Sequence, residues 1–406
     1  MIKIDTKSIA FLFLFVTLFS CKDDEPLVVI PVEENYSDIY DLPSTPFNYS
    51  NVVFPETFNA FVLGLDNTPE NNQITDAGAT LGRVLFYDKQ LSFNKTIACA
   101  SCHVQEFGFS DPNQKSEGFE GGHTRRNSMN LVNSGFYQPG KYFWDHRAAT
   151  LEDQVLMPLQ DGIEMGMTLE LLETRLSTLD YYKPLFKKAF NSEEVTSDRV
   201  SKALAQFVRA IYSFNSKYDT GIEATNNIFM DFPNYTAQEN MGKDIFNGKL
   251  TPGANGTCVF CHMGNDNLRY DVAFDANSVN QVIFSGLRTD NIGLDENFRD
   301  VDNGVGEITG QDSDFGQFKT PSIRNIALTA PYMHDGRLET LEAVVEHYST
   351  QVKPHPYLSD HMINGDETPR NLNLSEEEKA ALVAFLKTLT DTEMMTDVKY
   401  SNPFVN

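Results

Sequence analysis

Two copies of the pentad C-x-x-C-H constrain this chain more than any other feature: Cys99-Ala100-Ser101-Cys102-His103 and Cys258-Val259-Phe260-Cys261-His262. Each is the arrangement used for covalent attachment of a c-type haem. Two thiols three residues apart can each add to a vinyl group of one porphyrin, and the adjoining imidazole then lies where it can ligate the iron. Zinc ribbons also use paired C-x-x-C motifs, but their two pairs lie close together, whereas these are 258 − 99 = 159 residues apart. A thioredoxin-like thiol pair explains neither the histidine nor the second copy. The reading is two covalently bound haem c groups, the first held by Cys99, Cys102 and His103 and the second by Cys258, Cys261 and His262, with both histidines as iron ligands.

The fifth and last cysteine, Cys21, leaves none for a disulfide. It ends an apolar stretch, Ile9 to Phe19, that follows Lys3 and Lys7 and is too short to span a bilayer comfortably. Residues 1–20 read as a signal peptide. Leu18-Phe19-Ser20-Cys21 looks like a lipobox, so cleavage would leave a lipidated Cys21; the alternative is an ordinary signal with an incidental cysteine. The expected location is outside the cytoplasm, in the periplasm or at the cell surface, anchored to the outer membrane by the N-terminal lipid. Net charge is −25 over 406 residues, and −26 without residues 1–20, which carry Lys3 and Lys7 against Asp5. Such a surface repels nucleic acid. It could steer a small basic electron-transfer protein, or simply maintain solubility.

The length suits two domains, one per haem motif. Residues 21–57 are acidic and proline-dotted and are expected to form a flexible tether. The expected N-terminal domain covers 58–225, the C-terminal domain 226–392, and a tail 393–406. Ser375 with Glu378 forms a capping box ahead of Leu382, Phe385, Leu386 and Leu389, an i, i+3, i+4, i+7 stripe. A similar stripe, Leu204, Phe207, Val208 and Ile211, follows Ser197-Asp198. Each half thus has a helix before its haem motif and an amphipathic helix at its end. The fold class is mostly α, two tandem cytochrome c-like domains. Gly264 to Gly316, rich in Gly, Asn and Asp, is expected to be loop.

Several blocks go further. Leu81-Gly82-Arg83-Val84-Leu85-Phe86-Tyr87-Asp88 precedes the first haem motif, and the only tryptophan lies in Tyr142-Phe143-Trp144-Asp145-His146-Arg147, with Gln154 and Glu164 ten and twenty residues on. Phe318-Lys319-Thr320-Pro321-Ser322-Ile323-Arg324-Asn325 runs into Ala330-Pro331-Tyr332-Met333-His334-Asp335-Gly336. With the two haem motifs in this order, residues 58 to 392 resemble the bacterial di-haem cytochrome c peroxidase family, which includes the MauG oxidases. The resemblance implies that the first haem binds peroxide, that the second accepts electrons, and that Trp144 couples them. It also implies that Arg324 and His334 line the cofactor, and that Asn127 with the carbonyls of Thr329 and Pro331 holds a calcium ion between the domains. Dimers occur in the family.

Residue chemistry bears on these roles directly. Splitting H2O2 needs a group that takes a proton from one oxygen and returns it to the other, and Glu164 in its apolar surroundings is the candidate. Gln154 offers both a donor and an acceptor to orient peroxide. Taken without the matched offsets, either residue could equally lie on the surface. Opposite His262, family position points to Tyr348 where the peroxidases have methionine and MauG has tyrosine. Leu341, Val344, Val345 and Tyr348 share a helix face; a core tyrosine, with Met333 or Met362 as the ligand, is the alternative. His123 is the candidate distal ligand of the first iron, against a solvated loop histidine. His146 stands where the family usually has glycine and has no assigned role, and His347, His355 and His361 are expected at the surface.

Three functions follow. The leading one is a peroxidase reducing hydrogen peroxide with electrons from a small redox protein, a cytochrome c or a copper protein. The second is a MauG-like oxidase that uses peroxide to oxidise a protein or small molecule. The third is a non-catalytic di-haem electron carrier.

Overall fold

A computed structural model describes residues 36–137, 140–248, 258–262, 284–286, 288–297 and 301–405. The helices that build the site are α1 (Asp76–Tyr87), α2 (Cys99–Cys102), α3 (Leu151–Gln160), α4 (Leu169–Ser177), α5 (Tyr182–Phe190), α6 (Ser197–Arg209), α7 (Lys217–Thr225), α8 (Ala237–Phe246), α9 (Cys258–His262), α10 (Leu341–Thr350) and α11 (Glu376–Lys387). Sheet structure among the described residues is slight: β1 (Thr289–Asp290) pairs antiparallel with β2 (Phe318–Lys319). The fold is mostly α, as expected. β1 falls within the stretch expected to be loop, much of which lies outside the described residues.

The helix ends follow from local chemistry. Ser375 accepts from the Glu378 N–H and Glu378 answers to the Ser375 N–H, closing the anticipated capping box. Thr236 and Glu239 do the same for α8. The cap of α6 is Thr196, one residue before the expected start, its hydroxyl accepting from Arg199 N–H.

The two halves share one construction. α1 crosses α6 at Gly82, where a Cβ would lie 2.0 Å from the Ala203 carbonyl oxygen, beside Phe207. α8 crosses α11 at Gly242, where a Cβ would lie 1.9 Å from the Ala381 oxygen, beside Phe385. Glycine is required at both contacts because backbone meets backbone. The parallel continues along the chain. Asn133 and Asn325 both adopt positive φ, 54° and 59°, and donate backbone N–H to Ile211 and Leu389 just past the closing helices. Tyr142–Ala148 and Tyr332–Leu338 each close a turn by a backbone bridge, and Thr150 and Thr340 cap the helices that follow, α3 and α10.

The tether and tail expectations need correction. The described residues from Ser37 onward form one compact unit. Tyr49, at 2% exposure, is core, Phe54 stacks on Phe58 with centroids 4.5 Å apart, and Tyr40 bridges to Phe404. Aromatic side chains in the acidic stretch supply enough burial to order it from residue 37 onward. The segment 393–405 packs on the first half rather than trailing from the second: Tyr400 is buried, Gln105 donates to the Met394 and Asp397 carbonyls at 2.9 and 3.0 Å, and Arg83 donates to the Val398 carbonyl at 2.9 Å. Residues 1–20 and Cys21 lie outside the described residues.

Candidate haem and peroxide site

A cavity of about 720 Å³ brings both pentads onto one continuous lining, with Cys99, Cys102 and His103 at one place and Cys258, Cys261 and His262 at another. The two histidines are prepared alike. His103 Nδ1 lies 2.9 Å from the Phe109 carbonyl oxygen and His262 Nδ1 lies 3.3 Å from that of Phe284. A carbonyl can only accept, so Nδ1 carries the proton and Nε2 keeps its lone pair. Burial lowers both imidazoles below the usual histidine value, favouring the neutral form. A ring held by its outer nitrogen and neutral at the inner one is what an iron ligand requires, and the residues present fit a haem at each pentad.

Gln154 from α3 and Glu164 from the turn after it line the same cavity as Cys99 and Cys102. Glu164 is half-buried. Burial, reinforced by Asp161 and opposed by Arg147, pushes its carboxyl up to about 7. Burial raises both thiols of the first pentad, and the nearby Glu164 carboxylate adds a smaller push in the same direction.

Trp144 is buried, and its indole N–H donates to the Asn127 carbonyl at 2.8 Å. Asn127 N–H reaches the His334 carbonyl at 2.8 Å, and the Trp144 and His334 rings meet edge to face at 6.5 Å. His334 stacks on Phe318 at 3.7 Å, and burial lowers it to about 4. Trp144 and His334, at matching places in the two turns, thus form a contact between halves. Arg126 clamps it by pairing with Asp145 beside Trp144 and with Asp302 at 2.6 Å.

α10 carries Leu341, Val344, Val345 and Tyr348 to the cavity wall as the face pattern predicted. Tyr348 is half-buried on the cavity wall, and burial followed by the fields of Cys261 and Cys258 raises its phenol far above the usual value. Met333 and Met362 line the same cavity, and Met362 packs in a cluster with Tyr348. Asn127, Thr329 and Pro331 also line it; the two hydrogen bonds of the Asn127 side chain are both donated, to the Asn113 and Gln114 carbonyls.

Three expectations differ from what is found. His123 is exposed and does not line the cavity, although Thr124 next to it does; its backbone is bridged to Glu117 in a surface loop. Arg324 is 1% exposed and does not line the cavity. Its guanidinium makes a fork with Asp219 at 2.6 and 2.7 Å and lies over the Phe284 ring, so it supports the residue whose carbonyl holds His262. The late histidines are not plain surface residues: His347 is buried, its Nε2 3.0 Å from the Ile292 carbonyl; His355 and His361 are half-buried on the cavity wall, the latter stacked on Phe260 of the second pentad. Phe318 and Lys319 lie in one of the blocks read from sequence, but neither they nor Arg126 had a role assigned there. A signal for that region existed in the repeat of Tyr-x-Trp-Asp-x-Arg (142–147) as Tyr-x-His-Asp-x-Arg (332–337).

Residues 76–227 match a family described as di-haem cytochrome c peroxidase. The cytochrome c551 peroxidase of Nitrosomonas europaea is 32% identical over 80% of this chain and 81% of its own. The chain belongs to the di-haem cytochrome c peroxidase and MauG family. The MauG protein of Methylorubrum extorquens is also 32% identical, over 79% of this chain and 80% of its own. A crystal structure of a MauG-like protein associated with microbial copper homeostasis superposes with a TM-score of 0.70 at 32% identity, covering 87% of this chain and 99% of that one. The family uses haem c, and the two pentads on one cavity are where this di-haem protein would hold it.

Proposed function

We propose that this di-haem protein reduces hydrogen peroxide to water at the first haem, using electrons that a small redox protein delivers at the second and that pass by way of Trp144. The observation that carries the reading is Glu164, a carboxyl pushed up to about 7 on the cavity wall shared with Gln154 and the first pentad. A group poised near neutrality can both take and return a proton, which heterolysis of an O–O bond demands. When bound through its cysteines, haem supplies the iron at which that bond is opened and the electrons are held. Glu164 accepts the proton of the near peroxide oxygen and returns it to the far one, which leaves as water. Gln154 holds the peroxide by donating and accepting hydrogen bonds. Apolar neighbours such as Val155 and Met165 keep bulk water from competing. Steady-state oxidation of a reduced cytochrome c or copper protein by peroxide tests this; absence of turnover with either overturns it.

A second reading, a MauG-like oxidation of a protein or small molecule driven by peroxide, is favoured by Tyr348. A tyrosine on the cavity wall shared with Cys258 and Cys261 would, as an iron ligand, lower the potential of the second haem relative to a methionine ligand. Spectra taken before and after one equivalent of peroxide, with and without candidate substrate, separate the two. We also infer export with lipid attachment at Cys21, and calcium binding by Asn127, Thr329 and Pro331, whose hard oxygen donors suit that ion.

A further inference from the structure

The two equivalent turns differ at one backbone position in a way the fold does not require. Both His146 and Gly336 hold positive φ, 59° and 67°. Glycine adopts this region freely and most side chains do not. A non-glycine residue held there points to a use for its side chain. Among the described residues the His146 side chain is hydrogen-bonded to Tyr137, its Nε2 2.6 Å from the hydroxyl oxygen. Tyr137 is 2% exposed and lines the cavity with Trp144. The Lys319 ammonium sits 3.6 Å from the centre of its ring, and the Lys319 N–H donates to the Trp144 carbonyl at 2.8 Å. The cluster is therefore tied to Trp144 twice, through the chain at His146 and through the backbone hydrogen bond of Lys319.

Burial, with Lys319 and Lys141 nearby and Asp145 opposing, pulls His146 down to about 3. Its imidazole is neutral at ordinary pH and has a lone pair to offer. A phenol that loses an electron becomes a far stronger acid than an imidazolium, so its proton crosses an existing short hydrogen bond without rearrangement. In an enclosed site lacking such an acceptor, the oxidised ring would have to keep its positive charge, which burial opposes.

We propose that Tyr137 is a redox-active residue beside Trp144, oxidised by one electron while His146 Nε2 takes, and later returns, its hydroxyl proton. The proposal rests on the peroxide-reducing reading, because peroxide is the oxidant. Of the two oxidising equivalents peroxide leaves in the protein, one is passed to Tyr137. Its electron goes to the oxidised haem by way of Trp144, the O–H bond breaks, and an N–H bond forms at His146, giving a neutral tyrosyl and an imidazolium. An electron from a donor or substrate restores the phenolate oxygen, which takes its proton back from His146.

The test uses the full protein with both haems, labelled with ring-deuterated tyrosine, frozen after one equivalent of peroxide and examined by EPR. The expected result is a radical signal that narrows on deuteration and falls to background in Tyr137→Phe. His146→Gly suits the backbone there and removes the base, so the tyrosyl signal should be lost or its g-values shifted. Haem spectra that respond to peroxide without a deuterium-sensitive radical, or a radical that survives Tyr137→Phe, overturn the proposal and leave the peroxide reading standing. An unaltered tyrosyl signal in His146→Gly overturns the role of the histidine. Haems that do not react with peroxide overturn the reading and the proposal together.

Discussion

Replacing Glu164 by glutamine removes a carboxyl that burial pushes from 4.5 up to about 7, while keeping its shape and most of its hydrogen-bonding capacity. Between those two values the folded protein holds a proton that the unfolded chain has released, so stability declines as pH rises from 4.5 towards 7 and is level above it. Each unit of displacement is worth about 1.4 kcal/mol, which sets a ceiling of about 3 kcal/mol. Because the group is half-buried and water screens it, about 1–2 kcal/mol is the expected size. Glutamine does not carry this burden. Glu164→Gln should therefore be more stable than the parent by about 1–2 kcal/mol at pH 8 and no more stable at pH 4. Peroxide turnover at pH 8 should fall by roughly 10²–10⁴, the range for loss of a general acid–base group. Urea denaturation at the two pH values and steady-state turnover with a reduced cytochrome measure both. An equal stability change at pH 4 and pH 8, or turnover within a factor of a few of the parent, would refute the reasoning.

Tyr348→Met should raise the reduction potential of the second haem and abolish any peroxide-driven substrate oxidation; an unchanged potential by spectroelectrochemical titration assigns the ligand elsewhere, to Met333 or Met362. Gly82→Ala drives a Cβ into the Ala203 carbonyl, at 2.0 Å in the present backbone, and should destabilise the protein by about 1–3 kcal/mol or more, read as a lower denaturation midpoint. Asp219→Ala leaves the Arg324 guanidinium buried without its fork partner and should cost about 3–5 kcal/mol. A loss of unfolding free energy below about 1 kcal/mol in urea denaturation would show that Arg324 is served by its other contacts.

Much of the site was legible because its chemistry is local. A pentad holds two thiols and an imidazole within five residues, and the face shared by Leu341, Val344, Val345 and Tyr348 needs only helical periodicity to be read. Glu164 was readable as a carboxyl in an apolar setting, and burial does raise it. His123 and Arg324 misled for one reason. A residue close in sequence to a haem motif, or inside a family block, can be placed by the tertiary fold in a surface loop or a buried ion pair instead. The late histidines failed in the opposite sense: nothing within a few residues of His347 or His361 shows that the second half folds back over them.

From the sequence alone came the cofactor class and the mostly helical architecture, both carried by contacts a few residues apart, and, through offsets shared with the family it resembles, the first-haem acid–base candidate. Only the tertiary structure joined the two pentads on one cavity, stood Trp144 against His334, put residues 393–405 onto the first half, and paired Tyr137 with His146. These contacts depend on how turns and helices separated by up to hundreds of residues pack together, through glycine crossings, buried ion pairs and aromatic stacks whose partners no local pattern names.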